Sequence, residues 1–142
     1  MLNIRSINPS ASSECRWKYP ALKSHIYDYI HDSASKQRTL PFIALTETWL
    51  KGYMNDAQLK IPGYDLKRSD RDKRVGGGVL LYAHESIPVS YSAKYDDSTC
   101  EVLFCKFDTI KTCVVVVYRP TDAPLSSFKK AINFIYSEVD IV

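Results

Sequence analysis

Apolar positions recur along this chain with two periods, and the changes of period mark its elements. From Trp17 to Ile30, the residues Trp17, Ala21, Leu22, Ile26, Tyr29 and Ile30 share one face at helical spacing, which predicts an amphipathic helix. Near the end of the sequence, Phe128, Ala131, Ile132, Ile135 and Val139 repeat that spacing, and Pro124 suits the first turn of a second helix. The segments between and before them are short and strand-like: Met1 to Arg5, Phe42 to Thr46 opened by Pro41, Tyr64 to Arg68, Val79 to Tyr82, Ile87 to Tyr91, Glu101 to Phe107 and Lys111 to Tyr118. Glu101 to Phe107 has no clean polar face, so it is expected to be covered on both sides. Cys113 to Val117, the longest apolar run, reads as a buried strand.

Punctuation supports this division. Pro62-Gly63 signals a turn between Ile61 and Tyr64. Gly76-Gly77-Gly78 suits either a tight hairpin or a close approach of backbones. It is not a nucleotide-cradling loop, because no Gly-Lys-Ser/Thr follows and no helix opens there. The order of elements predicts an α/β or α+β fold, a mixed-sheet sandwich flanked by helices, with residues 1–142 in one domain.

Composition narrows the class without naming a function. An apolar share of 45% and a charged share of 25% are those of a folded globular chain and exclude the disordered and collagen-like classes. No apolar run approaches the roughly 20 residues that span a bilayer, so no membrane partner is expected. Arg5 and several serines follow only a few apolar residues, unlike a secretory signal, so an intracellular protein, nuclear or cytoplasmic, is expected. Cys15, Cys100, Cys105 and Cys113 form no CxxC pair and no zinc-like spacing with His25, His31 or His84, and read as reduced core thiols. His25 and His31 have no acidic or thiol partner at ligand spacing and read as surface or helix-boundary residues.

Charge is unevenly placed. Lys67, Arg68, Arg71, Lys73 and Arg74, set against Asp70 and Asp72, carry a local +3, which equals the net charge of the whole chain. This stretch is either a solvated surface loop or the place where a phosphate backbone is gripped.

Three polar residues stand on or beside strands where a core prefers apolar ones: Asn3, Glu47 and Tyr118. Glu47 ends the apolar run Ile43-Ala44-Leu45-Thr46, where an unpaired charge is costly to desolvate. Tyr118 closes Val114 to Val117 before Arg119-Pro120, so its phenol sits at the rim of the sheet. Taken singly, Asn3 suits a turn cap, Glu47 a lysine partner and Tyr118 an interfacial aromatic. Taken together, an amide, a carboxylate and a phenol at strand ends suit a site that holds a divalent metal over a substrate.

The succession Asn3-Ile4-Arg5-Ser6, Ala44-Leu45-Thr46-Glu47-Thr48-Trp49-Leu50, Ile61-Pro62-Gly63-Tyr64, Arg71 through Gly76-Gly77-Gly78-Val79, and Val117-Tyr118-Arg119-Pro120 resembles the endonuclease/exonuclease/phosphatase superfamily. The resemblance is to the endonuclease domain of non-LTR (LINE-type) retrotransposons in particular and spans nearly the whole chain. It implies two stacked sheets flanked by helices and a Mg²⁺-dependent phosphodiesterase, with Mn²⁺ as a possible substitute. By the same resemblance, Glu47 holds the metal, Asn3 orients Glu47 or contacts the metal-bound phosphate, and Tyr118 donates to a phosphate oxygen. Lys67, Arg68, Arg71, Lys73, Arg74 and Arg119 are the expected DNA contacts, which set position and affinity rather than sequence choice.

The family's later Gly-Asp-Phe-Asn and Ser-Asp-His segments do not occur among these residues, and none of His25, His31 and His84 follows a Ser-Asp pair. The chain therefore resembles the N-terminal part of such a domain, with the second half incomplete. Losing members of a cooperative catalytic set costs several powers of ten in rate, so little or no nuclease activity is expected of it alone. DNA, the rest of the domain and a downstream reverse transcriptase are the implied partners. The alternatives are a non-catalytic nucleic-acid-binding remnant, or a phosphodiesterase of the same superfamily acting on abasic DNA or a small phosphoester.

Overall fold

A computed structural model of the chain describes residues 2–3, 18–35 and 40–141. It is a mixed α and β structure of two sheets with two long helices. The first sheet has the order β1 (Leu2–Asn3), β2 (Phe42–Thr46), β4 (Val79–His84), β3 (Tyr64–Ser69). β1 runs parallel to β2, and the other pairs are antiparallel. The second sheet is antiparallel, in the order β5 (Tyr91–Asp96), β6 (Glu101–Phe107), β7 (Thr112–Tyr118). Helix α1 (Lys18–Ser35) follows β1, and α2 (Leu125–Ile141) follows β7.

Alternation along the strands builds three cores. Leu45, Leu80 and Tyr82 point to one side of the first sheet, where they meet Ile26 of α1 and Leu50, Met54, Leu59 and Ile61 from the segment after β2. Val79, Leu81 and Ala83 point to the other side and pack against Leu103, Cys105, Phe107 and Val116 of the second sheet. Cys100, Val102, Val115 and Val117 then meet Phe128, Ala131 and Ile135 of α2. The result is four layers: helix, sheet, sheet, helix. β4 and β6 are apolar on both faces because each is covered on both.

Several expectations need correction. Ile87 to Tyr91 is not a strand; Ile87 N–H donates to His84 O in a turn, and Ile87 and Val89 drop into the core between the sheets. The strand is Tyr91–Asp96 instead, an edge held by its ladder to β6 rather than by an apolar run. Cys113 to Val117 lies in an edge strand, with Val116 alone deeply buried and Cys113 exposed. On α1, Ile26 and Ile30 pack inward while Ala21 and Tyr29 face solvent, and His25 and His31 are exposed within the helix. On α2 the buried stripe passes through Glu138 rather than Val139, because Glu138 accepts a 2.7 Å hydrogen bond from the Tyr91 hydroxyl. Cys100 and Cys105 are buried free thiols as expected, and Cys15 lies outside the described residues. Among the described residues, no helix is long and apolar enough to cross a membrane.

Candidate functional site

The ends of β2 and β7, on different sheets, open on one side of the sandwich. β2 ends at Thr46, and the next residues take left-handed backbone: Glu47 has φ 59° and Trp49 has φ 56°. Non-glycine residues in this region cost about 1–3 kcal/mol each and persist only where the surroundings over-determine them. Here the glycine run does so. Thr48 N–H donates to Gly78 O and Trp49 N–H to Gly77 O, so the β2–β4 pairing continues past the strand ends.

Of the two readings of the three glycines, close approach holds and the tight hairpin does not. They lie in the long β3–β4 hairpin loop, and all three have positive φ, 82°, 70° and 87°. They permit close approach. A Cβ on Gly77 would lie 2.6 Å from Arg71 Nε, and one on Gly78 would lie 2.5 Å from Thr48 Oγ1.

This geometry turns the Glu47 side chain toward β7. The Tyr118 hydroxyl donates to Glu47 Oε1, and Trp49 Nε1–H lies 3.4 Å from Glu47 Oε2. Burial, then the hydrogen bond to Glu47 and its charge, raise the Tyr118 phenol above its usual range. Glu47 and Tyr118 line a cavity of about 500 Å³ together with Trp49, Arg71, Arg74, Val75, Gly76, Gly77, Pro120 and Asp122. β1 sets the Asn3 backbone beside Thr46, one residue before Glu47. The expected role of the Asn3 amide lies outside the described residues.

The six expected DNA-contacting residues separate into different environments. Arg68 pairs with Asp56 at 2.8 Å and Asp70 at 3.2 Å, and donates to Met54 O, so its guanidinium ties the loop after β2 to β3. Arg119 turns back, donating to Ala123 O at 2.6 Å with its guanidinium 5.9 Å from the Phe128 ring. Arg71 is buried, bonded through Nε to Glu101, and lies 5.6 Å from the Tyr118 ring centroid. Lys73 and Arg74 are exposed, and Lys67 is half-buried on β3. The reading of Lys67 to Arg74 as one solvated stretch therefore gives way to Arg68 tying the loop after β2 to β3, Arg71 buried in the cavity wall, a partly covered Lys67, and exposed Lys73 and Arg74, of which Arg74 lines the cavity.

Sequence reasoning gives Glu101 no role beyond opening a strand. It is fully buried beneath the glycine run, opposite Tyr118 in the β6–β7 register, and accepts from Arg71 Nε and from Gly78 N–H. Burial pushes its carboxyl pKa up, against the opposing pull of Arg71. The available signal is a charged residue at the head of an otherwise apolar strand. Trp49 and Asp122 are further cavity residues without an expected role.

The donor chemistry at the mouth is that of hard oxygen. Among the described residues, no three His, Cys, Asp or Glu side chains converge as a closed metal cage. Glu47, at a polar cavity whose wall also carries Asp122, fits Mg²⁺, which is commonly held by one or two carboxylates, water and substrate phosphate. Comparison of the sequence with protein-family models and with curated proteins finds no match.

Proposed function

We propose that this chain is the N-terminal part of an endonuclease/exonuclease/phosphatase-like domain of the non-LTR retrotransposon type, acting in Mg²⁺-dependent DNA cleavage and weakly active or inactive alone. The observation that carries this reading is the meeting of Glu47 and Tyr118, from opposite sheets, at the mouth of one polar cavity. Both are polar residues at strand ends, one from each sheet, and both line the same cavity. Glu47 would hold the metal, which when bound supplies charge stabilisation for attack on phosphorus. Tyr118 is a neutral donor at neutral pH, as any ordinary phenol is, and burial and Glu47 raise its pKa further; turned from Glu47, its hydroxyl would reach a phosphate oxygen. Trp49 and the glycine backbone fix the Glu47 carboxylate through the loop they brace. In a retrotransposon, the nicked strand would prime a downstream reverse transcriptase.

Plasmid DNA binding by this chain is expected to strengthen with Mg²⁺ and to weaken in Glu47→Ala, with no nicking of the supercoiled form. Mg²⁺-dependent nicking abolished by Glu47→Ala would show that these residues suffice for catalysis. DNA binding indifferent to both Mg²⁺ and Glu47 would remove the metal-site reading. It would leave a nucleic-acid-binding remnant, which the exposed Lys73 and Arg74, the latter in the cavity wall, favour.

A further inference from the structure

Arg71 is 4% exposed yet forms part of the cavity wall. A guanidinium carries five N–H donors, and Glu101 takes the one on Nε. Nη2 is buried without any hydrogen-bond partner. A buried donor left unmatched costs about 1–3 kcal/mol, more when charged, and native folds rarely leave one so.

Three neighbours hold this group in place rather than let it swing to water. Glu101 fixes one edge of the fork. The Tyr118 ring lies beside it, with a centroid distance of 5.6 Å. Gly77 covers it so closely that any side chain there would strike Nε or Cζ, at 2.6 and 2.7 Å from the ideal Cβ. Such a cradle costs backbone freedom and strain, and an ordinary buried ion pair needs neither a cavity nor an orphaned nitrogen.

We infer that Arg71 is an anion-receiving residue of this cavity, its incompletely bonded guanidinium taking one phosphoryl group, and that Glu101 is the residue that positions it. Arginine suits this task because its planar fork matches two phosphate oxygens, which an ammonium cannot do. Glu101 neutralises the buried charge when the cavity is empty and leaves the Nη2 edge unengaged. The phosphoryl group then lies between Arg71 and the Glu47–Tyr118 pair, inside the cavity. The inference rests on the phosphodiester reading only for the source of the phosphoryl group; the anion site stands on its own geometry.

The test uses the whole chain with ¹⁵N-labelled arginine, titrated with inorganic phosphate and separately with a dithymidine monophosphate, against chloride at matched ionic strength. A saturable shift of the Arg71 Nε–H signal with either ligand supports the inference. The dinucleotide acting more strongly identifies a nucleic-acid source, and phosphate acting alone identifies a free anion. No shift with either, or the same shift with chloride, overturns it.

The pair variant Arg71→Met/Glu101→Gln keeps the interior free of an unpaired charge. It should weaken phosphate binding, read at the Trp49 indole N–H, by about tenfold or more, the loss expected for one charge-assisted hydrogen bond. Arg71→Lys, which keeps the charge but not the fork, should lose a similar factor. Wild-type affinity in either variant would overturn the assignment. The wild-type titration stands if a variant does not fold, and it is independent of how DNA binding responds to Mg²⁺ and Glu47.

Discussion

The Tyr118 hydroxyl donates to Glu47 Oε1, joining the last residue of β7 in one sheet to the residue just past β2 in the other. Seventy-one positions separate the two in sequence. The contact is a tie between the open ends of the sandwich as well as the centre of its cavity. Tyr118→Phe removes the donor and leaves the ring against Arg71. It should cost about 1–2 kcal/mol of stability, the range for a hydrogen bond to a charged acceptor when water can reach that acceptor. Denaturant midpoints of the two proteins measure this, and an unchanged midpoint would mean that the tie contributes nothing.

Alkaline pH should weaken the fold through the same phenol and its neighbours. Tyr64, Tyr91, Tyr95 and Tyr118 all have phenol pKa values raised above the ordinary 10.0, with Tyr95 pushed up to about 12 by burial and by Asp97. A group whose folded pKa exceeds its unfolded one keeps more protons when folded, so stability falls as pH rises past the unfolded value. The contribution is therefore full below pH 10.0 and is lost through the folded values above it. Thermal midpoints between pH 8 and 11, read beside near-ultraviolet phenolate absorbance, should show a decline that begins near the ordinary thiol value, because buried Cys100 and Cys105 also hold their protons up to about 11, and that steepens past the ordinary phenol value. The decline should be shallower in Tyr118→Phe.

The elements legible in the sequence are those whose burial is one-signed. Phe42–Thr46 and Glu101–Phe107 fall where the apolar runs place them, because both lie within the covered layers of the sandwich. Tyr91–Asp96 carries a period-2 alternation, Tyr91, Ala93 and Tyr95 against Ser92, Lys94 and Asp96, which a reading based on continuous apolar runs passes over in favour of Ile87 to Tyr91. Ile87 and Val89 mislead in the opposite direction, since they are apolar for the core between the sheets while Pro88 keeps them out of a ladder. Glu47 and Tyr118 are visible as polar residues at strand tips. The Arg71–Glu101 pair is not, because the two are thirty residues apart and each resembles an ordinary surface charge until the glycine run covers them.

The basic residues divide by what they hold, and substitution should separate them. Lys73→Gln and Arg74→Gln should leave the melting temperature nearly unchanged and lower DNA affinity, reducing the slope of log affinity against log salt by about one for each phosphate no longer neutralised. Arg68→Gln should act on stability instead, by about 1–3 kcal/mol, since it leaves Asp70 buried with a weakened partner. A salt slope that responds to Arg68 but not to Lys73 or Arg74 would reverse this division.

Thiol chemistry should follow exposure. Cys113 is exposed on the edge strand, whereas Cys100 and Cys105 are buried, and burial pushes both of their thiols up to about 11. The thiolate is the reacting species, so both are protected twice, by access and by protonation. Brief treatment of the folded chain with N-ethylmaleimide, followed by peptide mapping, should find Cys113 modified and Cys100 and Cys105 intact. In denaturant all three should react.

Two glycines with similar backbone provide the sharpest contrast. Gly63 and Gly77 have φ 81° and 70°, so alanine at either carries the left-handed penalty of about 1–2 kcal/mol. Nothing lies within 4 Å of a Cβ at Gly63, and Gly63→Ala should cost only that penalty. At Gly77 the new methyl would meet Arg71 Nε at 2.6 Å and Glu101 Oε2 at 2.9 Å, both members of a buried ion pair held on two sides. Neither can retreat without uncovering a charge, so Gly77→Ala should cost several kcal/mol in total, of the order seen when a buried pair is broken. It should also disturb the Arg71 Nε–H signal, which Gly63→Ala should leave in place. Equal melting temperatures for the two variants would mean that the Arg71–Glu101 pair yields freely, and that the cradle around it is not rigid.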